Sequence, residues 1–469
     1  MNTMAQKPNE KLTKDQIHKQ IYAKLQNEIV VGMDIGHSKV CVAVGTMQPN
    51  GKVKILGVGK SEKVPTGLVN GSLTNPTITS SAMNVAMDKV NAMVDFERFE
   101  SVVVNISGRI NAVIKSNSRH VAASNKEITE GDLQVMQNDI YTSYDNNFLN
   151  PGDKIMNVVA QNYHVDNNGV RLENTVGTVG SVITADFLLV TGSVREADLI
   201  ERAAHRNEIK IDKYIATPIA SADAVLTPEQ KQDGVAVVDI GAYNATIAIY
   251  TKGILRYVSM IPLGGNTITD DIKEGLQIPS SVAAENMKIK VGKAMLEPNA
   301  QDVVVSFDAG SWGENREISQ YQIIGIMQCR LEEIIEHVYA AILQSQYGNK
   351  LFAGIVLTGG VALTKELKPL VEFKTGIKTH IGTPNINLFN AEESKLQNPR
   401  YSTAIGLVIN EFNCLYEKQK MEFTQKEGDY TKKQAPQKNN FVSTWFEKVK
   451  GITKQGKDIL LDDDINNDF

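Results

Sequence analysis

The sequence predicts an α/β protein in which two similar lobes face each other, with an inserted α/β subdomain between them. Short β-branched runs begin near Glu28 and return near Asp233, each time in the order strand, Asp-Ile-Gly turn, strand, glycine turn, strand. Such a duplicated unit indicates two lobes of the same kind. The segment from Gln322 to Gln346 has apolar residues at helical spacing and predicts a long helix packed on a sheet.

The same patterns divide the chain into segments. The first residues are polar and Lys-rich, with apolar residues only at near-helical spacing, which favours a frayed or partly helical tail over a domain. The predicted segments are a flexible N-terminal tail (1–27), a first lobe (28–100 and 188–225), an inserted subdomain (101–187), a second lobe (226–261 and 351–416), a small subdomain (262–350), a disordered, solvated linker (417–440), an amphipathic helix (441–461) and an acidic tail (462–469).

Length and composition exclude several classes of protein. A chain of 469 residues with 42% hydrophobic residues is long enough for at least two domains. Its 49 Lys and Arg residues against 54 Asp and Glu residues give a net charge of −5, which argues against nucleic acid as a partner. Cys41, Cys329 and Cys414 lie far apart without CxxC spacing, so reduced thiols are favoured over a disulfide or a zinc site.

No segment has the character of a secretion signal or a membrane span. The N-terminal residues lack an apolar core. Nowhere does the chain approach the roughly 20 uninterrupted apolar residues of a membrane-spanning helix. We therefore expect a cytoplasmic protein that, where it meets a membrane, lies on the surface.

Two glycine turns carry the residue types that phosphate and Mg²⁺ require. Asp34 precedes the turn at 36–39, and Asp239 precedes the turn at 241–244. Backbone N–H groups of a glycine turn can hold phosphate oxygens, and an aspartate at the strand end can bind Mg²⁺. A third glycine turn lies at 357–361. One Asp-x-Gly after a strand is usually an ordinary turn, but three turns in this order are more specific.

Several segments in order resemble the actin, chaperone and sugar-kinase superfamily, and within it most closely the FtsA family of cell-division proteins. These segments are the two Asp-Ile-Gly loops, IATPIASADAVL, the Gly264-Gly265 turn, AENMKIKVG, VLTGGVAL and YSTAIGLV. The resemblance runs from about Glu28 to Tyr416. It implies an actin-like two-lobed fold, built from duplicated ribonuclease H-like domains, and the binding of ATP with Mg²⁺.

The resemblance also implies a role for each matching residue. Asp34 and Asp239 would hold Mg²⁺ directly or through water. The residues implied around the nucleotide are Gly36, His37, Ser38 and Lys39 on one side of the phosphates, Gly241, Ala242, Tyr243 and Asn244 on the other, the Gly264-Gly265 turn, Glu285 and Lys288 near the ribose and adenine, and Gly359, Gly360 and Val361 in the adenosine pocket. For Glu285 and Lys288, a solvated helix face is the alternative.

Partners follow from the resemblance alone. The FtsA family uses the inserted subdomain in polymer contacts and in recruiting later cell-division proteins, and it engages the tubulin-like protein FtsZ through the small subdomain. The expected partners are therefore FtsZ, further copies of this chain and later division proteins. No single residue here marks the FtsZ contact.

The segment 441–461 predicts an amphipathic helix that binds membrane. On a helical wheel the arc of roughly 140° that forms its apolar face holds Phe441, Val442, Trp445, Phe446, Val449, Ile452, Ile459 and Leu460. Lysines lie on the other side, where they attract anionic lipid. A helix docked on the protein's own core is the alternative, and the polar linker before the helix argues against it. We expect a peripheral protein at the cytoplasmic face of the inner membrane.

The sequence departs from its relatives where ATP would be hydrolysed. The second loop reads Asp-Ile-Gly-Ala-Tyr-Asn-Ala-Thr from Asp239 to Thr246, where most of the superfamily reads Asp-Ile-Gly-Gly-Gly-Thr-Thr-Asp. Thr217 stands before Pro218, where actin-type ATPases generally place an acidic or amide residue to orient the attacking water. We therefore expect ATP binding with weak or no hydrolysis, and we assign no catalytic residue.

Two other readings compete. A type IV pilus assembly protein of this fold also binds ATP, but it would not need a linker and a terminal lipid-binding helix. A sugar kinase should show an Asp base and sugar-binding residues in the cleft, and a chaperone needs a C-terminal substrate domain. The sequence identifies neither.

Overall fold

The structure is a computed structural model. It describes residues 14–26, 28–61, 65–69, 71–94, 99–106, 108–120, 126–144, 152–166, 175–296, 301–307, 316–385 and 396–434. Residues up to Lys420 form one compact unit, to which the fold and the site below belong. The predicted membrane helix at 441–461 and the acidic tail at 462–469 lie outside the described residues.

The first part of the chain builds one lobe and the inserted subdomain. Its elements up to the insertion are α1 (Lys14–Leu25), β1 (Ile29–Ile35), β2 (Val40–Met47), β3 (Val53–Lys60), β4 (Leu68–Val69), β5 (Ser72–Leu73), α2 (Pro76–Val94) and β6 (Ser101–Ile106). The following elements are β7 (Ile110–His120), β8 (Lys126–Glu127), α3 (Glu130–Tyr144), β9 (Asp153–Val165), β10 (Val179–Gly180), β11 (Val182–Ser193), α4 (Val194–His205), β12 (Lys210–Ala216), α5 (Thr217–Val225) and α6 (Pro228–Asp233).

The second part builds the other lobe. Its elements are β13 (Val235–Ile240), β14 (Ala245–Thr251), β15 (Ile254–Ile261), α7 (Gly265–Gly275), α8 (Ser281–Val291), β16 (Val304–Phe307), β17 (Arg316–Ser319), α9 (Gln320–Gln344), β18 (Ile355–Thr358), α10 (Leu367–Thr375), β19 (Thr379–Ile381) and α11 (Ser402–Gln434). Helices α7, α8 and α9 share a buried apolar core with β13 and β14.

The two lobes contain sheets of the same topology. The first has the order β12-β6-β1-β2-β3 and the second the order β19-β18-β13-β14-β15. In each sheet the central strand pairs in parallel on one side and antiparallel on the other. Strands buried on both faces read as continuous apolar runs, and β13 is buried at every position. The predicted α/β fold with two duplicated lobes is therefore confirmed.

The inserted subdomain starts later than the sequence predicts. Strand β6, which begins at the predicted boundary, pairs with β1 and β12 in the first sheet. The insertion itself is a sheet in the order β7-β11-β9, together with α3 and the short ribbon β8–β10. Since β11 continues to Ser193, this sheet also extends beyond the predicted end at 187. An apolar strand has the same sequence pattern in the first-lobe sheet as in the sheet of the insertion, so the sequence could not assign β6 to one of them.

Helix α11 differs from its prediction in two respects. Its first turns were assigned to the second lobe, yet Ala404, Leu407 and Val408 lie against Gly32 and Gly45 of the first sheet. Residues 417–434, predicted as a disordered linker, are its helical continuation. Lys, Gln and Glu are typical of solvated linkers, but they are also strong helix formers, so composition did not separate the two.

The N-terminal tail also differs from its prediction. Helix α1 buries Ile21 and Leu25, two of the residues whose near-helical spacing the sequence showed. The ring of Tyr22 stacks on Tyr416 of α11, with 5.4 Å between ring centroids. The sequence favoured a frayed or partly helical tail, and residues 14–25 are helical and packed rather than flexible, because the few apolar residues are enough to hold one helix face against the first lobe and α11.

We predict opposite effects for alanine at two helical glycines. A Cβ at Gly406 in α11 would lie 1.7 Å from the carbonyl oxygen of Ala220, whereas a Cβ at Gly325 in α9 would meet nothing within 4 Å. Gly406→Ala should lower the free energy of unfolding by about 2 kcal/mol or more. Gly325→Ala should raise it by about 0.5–1 kcal/mol. Urea titrations followed by circular dichroism measure both, and equal effects would contradict the close approach of α11 to α5.

Candidate functional site

Asp34 lies at the end of β1 and is buried. The Nδ2 of Asn105, on the neighbouring strand β6, donates to its Oδ1 at 2.8 Å, while the Asn105 Oδ1 accepts from the backbone N–H of Ile35 at 2.7 Å. The Lys39 Nζ lies 3.7 Å from the Asp34 Oδ2. Asn105 therefore fixes the carboxylate, and the first glycine loop supplies a cation beside it.

Asp239 holds the same place in the second sheet. Hydroxyls of Ser221, from α5, and Thr403, from α11, donate to its Oδ2, the latter at 3.2 Å. Gly359 follows the parallel neighbour β18 with φ of +85°, and a Cβ there would lie 2.3 Å from the Asp239 Oδ1. Only glycine lets the third glycine turn pass this close to the carboxylate.

The two carboxylates are electrostatically coupled. Burial raises the pKa of Asp34 to about 6; the charge of Lys39 opposes this rise and that of Asp239 adds to it. Burial also raises the pKa of Asp239, against the hydrogen bonds from Ser221 and Thr403. Two buried like charges disfavour joint ionisation, so a cation between them would be stabilised.

A buried hydroxyl lies on the same sheet face as Asp239. Thr246 is directly opposite Asp239 in the β13–β14 pair, as Cys41 is opposite Asp34 in the β1–β2 pair. Directly opposite residues of an antiparallel pair share a face. The Thr246 Oγ1 is buried and has no hydrogen-bond partner within the described part of the chain. An unsatisfied buried hydroxyl suits an ordered water or a hydrated ion.

The first two glycine turns, at 36–39 and 241–244, are closed by the same backbone hydrogen bond. The N–H of Gly36 donates to the carbonyl of Lys39 at 3.0 Å, and the N–H of Gly241 donates to the carbonyl of Asn244 at 2.9 Å. Each loop thus has four residues and joins two antiparallel strands, the first of which ends in isoleucine, Ile35 or Ile240. Ser38 is exposed and Ala242 is half-buried within these loops.

The loops also meet each other. The imidazole of His37 stacks on the phenol ring of Tyr243, with ring centroids 4.7 Å apart and 16° between the planes. The backbone N–H of Gly71 donates to the His37 Nε2 at 2.9 Å, so the ring is neutral with its proton on Nδ1. Burial lowers the pKa of His37 to about 4.

The Gly264-Gly265 turn lies against the second loop. A Cβ at Gly264 would lie 2.8 Å from the carbonyl oxygens of Gly241 and Ala242. The N–H of Gly265 donates to the Gly241 carbonyl at 2.9 Å, and that of Asn266 donates to the Ala242 carbonyl. This turn begins α7 and fixes the backbone of the loop.

Glu285 and Lys288 belong to the same cluster and do not form a solvated helix face. The Lys288 Nζ donates to the carbonyl of Gly265 and to the Thr269 Oγ1, each at 2.8 Å, and pairs with Glu285. Burial lowers the pKa of Lys288, against the charge of Glu285. A Cβ at Gly265 would lie 3.1 Å from a methyl of Val361, so the third glycine turn adjoins this cluster. Gly360 faces open space.

Thr217, the first residue of α5, has its hydroxyl engaged. Its Oγ1 donates to the carbonyl of Ile106 at 2.9 Å and accepts from the Asn105 Nδ2 at 3.2 Å. The proton and one of the two lone pairs of this hydroxyl are therefore engaged by protein groups, and a neutral hydroxyl is a much weaker orienting group for water than the acidic or amide residue that it replaces.

Sequence reasoning missed four polar residues of the site: Asn105, Ser221, Thr269 and Thr403. Asn105 follows an apolar run within β6, and this was the signal that could have found it, because a buried polar group needs a partner. Ser221, Thr269 and Thr403 have other polar residues near them in their helices, so no such signal marks them. The eight predicted membrane-binding residues from Phe441 to Leu460 lie outside the described residues.

Two features of the described residues bear on metals and membranes. No group of three or more His, Cys, Asp or Glu side chains there is arranged to hold a metal ion. None of the helices in those same ranges is long and apolar enough to cross a membrane.

Comparison with known proteins agrees with this geometry. The model of the family "Cell division protein FtsA" matches residues 236–406. The cell division protein FtsA of Neisseria meningitidis is 31% identical over 386 residues, which are 82% of this chain and 90% of that protein. The FtsA of Escherichia coli K12 is 31% identical over 81% of this chain and 90% of its own length.

Solved structures show the same fold at low identity. The PilM–PilN type IV pilus biogenesis complex matches with a TM-score of 0.55 and 14% identity, covering 81% of this chain and 98% of that one. MreB5 of Spiroplasma citri bound to ADP matches with a TM-score of 0.52 and 13% identity, covering 84% and 99%. The predicted actin-like fold is thus confirmed, and the similarity to the Neisseria and Escherichia proteins over most of their length shows that the chain belongs to the FtsA family of cell-division proteins.

Proposed function

We propose that this chain binds ATP with Mg²⁺ between its two lobes, assembles into filaments and tethers FtsZ to the inner face of the cytoplasmic membrane. The observation that carries the nucleotide part is the pair Asp34 and Asp239, which end equivalent strands and are coupled in charge. Each is followed by a glycine loop, and the two loops touch through His37 and Tyr243.

Mg²⁺ fits the chemistry at the two aspartates. Mg²⁺ prefers oxygen ligands and keeps several waters, so two carboxylates with phosphate oxygens are a sufficient set. The buried Thr246 hydroxyl offers a hydrogen bond to such a water. Lys39, beside Asp34, has the charge to hold a phosphate oxygen.

The adenosine would lie between the second loop and the third glycine turn. Lys288, Glu285 and Thr269 form a hydrogen-bonded cluster beside Gly265, and polar groups of this kind suit ribose hydroxyls. Val361 and the open space at Gly360 adjoin it. MreB5, a protein of the same fold, is bound to ADP in its solved structure, which supports nucleotide binding by this chain.

We expect the nucleotide to act as a structural ligand that favours the closed, polymer-competent form. The hydroxyl of Thr217 is occupied by protein groups, and Thr246 supplies no negative charge for the metal. Without a group to orient the attacking water, the rate of hydrolysis loses orders of magnitude.

The membrane and FtsZ parts rest on the tail and on the family. The apolar face from Phe441 to Leu460 and its opposing lysines fit an anionic lipid surface. Membership of the FtsA family supports FtsZ, later division proteins and further copies of the chain as partners. The same membership weighs against the pilus alternative, which shares the fold at only 14% identity.

Asp34→Asn should stabilise the metal-free protein at neutral pH. Because the folded-state pKa of Asp34 is about 6, above its ordinary value, its favourable contribution is full below about pH 4 and is lost as the pH rises through 6. Relative to the wild type, the variant should therefore gain about 1 kcal/mol in its free energy of unfolding at pH 4.5 and about 3 kcal/mol at pH 7.5. Urea titrations in EDTA measure this.

The control for this titration is Asp212→Asn on the surface. Burial acts to raise the Asp212 pKa, but hydrogen bonds from Ser101 and Lys210 lower it by more, so the pH effect should have the opposite sign. A gain for Asp34→Asn that does not change between pH 4.5 and 7.5 would contradict the charge coupling.

ATP should be bound and turned over slowly. On vesicles at saturating ATP we expect less than about one phosphate released per minute, far below the usual range of enzyme turnover. A phosphate-release assay measures the rate, and Asp239→Asn purified in the same way reports contaminating ATPase. Several turnovers per minute in excess of that control would refute the prediction, whereas stoichiometric retention of unhydrolysed ATP would support it.

Charges in the apolar face of the tail should abolish membrane binding. Trp445→Glu with Phe446→Glu places two carboxylates in the headgroup boundary, so flotation with anionic vesicles should be lost and FtsZ should no longer co-sediment with them. Ser443→Glu with Thr444→Glu adds the same charge on the polar side of the wheel and should retain most binding. Equal flotation of the two double variants would exclude the proposed anchor.

A further inference from the structure

The ring of Tyr243 reaches from the second lobe into a socket of the first lobe. One wall of the socket is the imidazole of His37, stacked on the phenol at 4.7 Å between centroids. The other wall is the backbone at Gly71, between β4 and β5, where a Cβ would lie 2.5 Å from the phenol ring. Gly71 has φ of +82°, a conformation that favours glycine, so the turn itself keeps this wall free of a side chain.

Hydrogen bonds hold the socket in shape. The Gly71 N–H donates to the His37 Nε2 at 2.9 Å, and the Thr66 hydroxyl donates to the carbonyl of His37 at 3.0 Å. The imidazole and the backbone of His37 are thus each held by a hydrogen bond within the first lobe. A ring fixed in advance loses little side-chain entropy when it stacks.

The socket has no counterpart on the opposite side of the cleft. Tyr243 occupies the third position of its loop, and the third position of the equivalent first loop is the exposed Ser38. The shared backbone of the two loops therefore does not require an aromatic ring there. The stack is a feature of this one position, and it lies one residue from Asn244, which ends the second phosphate loop.

We propose that Tyr243 is a latch: its packing over the hydrogen-bonded pair His37 and Gly71 holds the two lobes closed at the phosphate end of the cleft and slows the release of nucleotide. The closure of the lobes concerns the protein alone. The slower release rests on the proposed nucleotide binding, because a ligand between the two loops leaves only when they separate.

The magnitude follows from the ring contact. Aromatic pairs contribute enough to change an equilibrium or a dissociation rate by about 2- to 10-fold. Loss of the ring should therefore accelerate nucleotide release by about that factor, while the association rate changes less.

Lobe separation tests the latch without nucleotide. Spin labels on the native, exposed Cys329 of α9 and on Asn84→Cys of α2, in a Cys414→Ser background, report the distance between the lobes; Cys41 is buried. We expect one narrow distance distribution for the parent, a broader and longer one for Tyr243→Ala and for His37→Ala, and no further change in the double variant. Tyr243→Phe keeps the ring and should keep the narrow distribution.

An unchanged distribution in both alanine variants, with the fold intact by circular dichroism, would overturn the proposal. So would additive effects in the double variant, because a stack is lost once when either ring is removed. Exchange of the Gly71 amide hydrogen gives a second readout: it should accelerate in His37→Ala, which removes its acceptor, and also in Tyr243→Ala, which uncovers it. Unchanged exchange in Tyr243→Ala would contradict the latch.

Release of a fluorescent ATP analogue, chased with excess ATP, tests the second part. Dissociation should be about 2- to 10-fold faster from Tyr243→Ala than from the wild type. Failure of the wild type to bind the analogue would refute the proposed function while the spin-label result still decides the latch. Binding with equal dissociation rates would refute the role in release and leave the proposed function standing.

Discussion

The structure depends on keeping two buried carboxylates close to each other. Asp34 and Asp239 end equivalent strands, and burial and mutual repulsion raise the pKa of Asp34 to about 6. Neighbouring groups stabilise the two carboxylates. Asn105 donates a hydrogen bond to Asp34 and Lys39 lies beside it, and the hydroxyls of Ser221 and Thr403 donate to Asp239. An arrangement that costs stability in the absence of a cation is characteristic of a ligand site rather than of a core.

The duplicated fold explains where these groups lie, and the departures from its symmetry explain how the lobes differ. In the two loops, the position of Lys39 corresponds to that of Asn244, and the position of Ser38 corresponds to that of Tyr243. In the strands that follow, Cys41 corresponds to Thr246. The first loop therefore supplies positive charge. The second loop supplies a neutral backbone and a ring, and the strand after it supplies the buried hydroxyl of Thr246. In the proposed function, one lobe attracts an anion and the other closes on it through shape.

The sequence predicted the fold well where an element combines an apolar run with a glycine turn. Both sheets and both Asp-Ile-Gly loops are of this kind, and the long helix α9 was predicted from apolar residues at helical spacing. It failed where the decisive contacts are long-range: β6 joins a sheet formed by distant strands, and α1 and α11 are held by packing that no local pattern shows. In the site, Asn105 and Thr403 were missed because their role depends on Asp34 and Asp239, which lie 71 and 164 residues away in sequence.

Neutralisation of the carboxylates and the His37–Tyr243 stack differ in free energy, and this difference indicates how much each would contribute to closure of the lobes. A shift of two pKa units corresponds to about 3 kcal/mol, and this energy is recovered when a cation neutralises the carboxylate. One aromatic stack contributes about 1 kcal/mol. In the proposed function, charge neutralisation therefore decides whether the lobes close on a metal-bound nucleotide, and the His37–Tyr243 contact adjusts how long they remain closed. With the Thr217 hydroxyl occupied, the residence of the nucleotide would be set by these contacts between lobes and not by a chemical step.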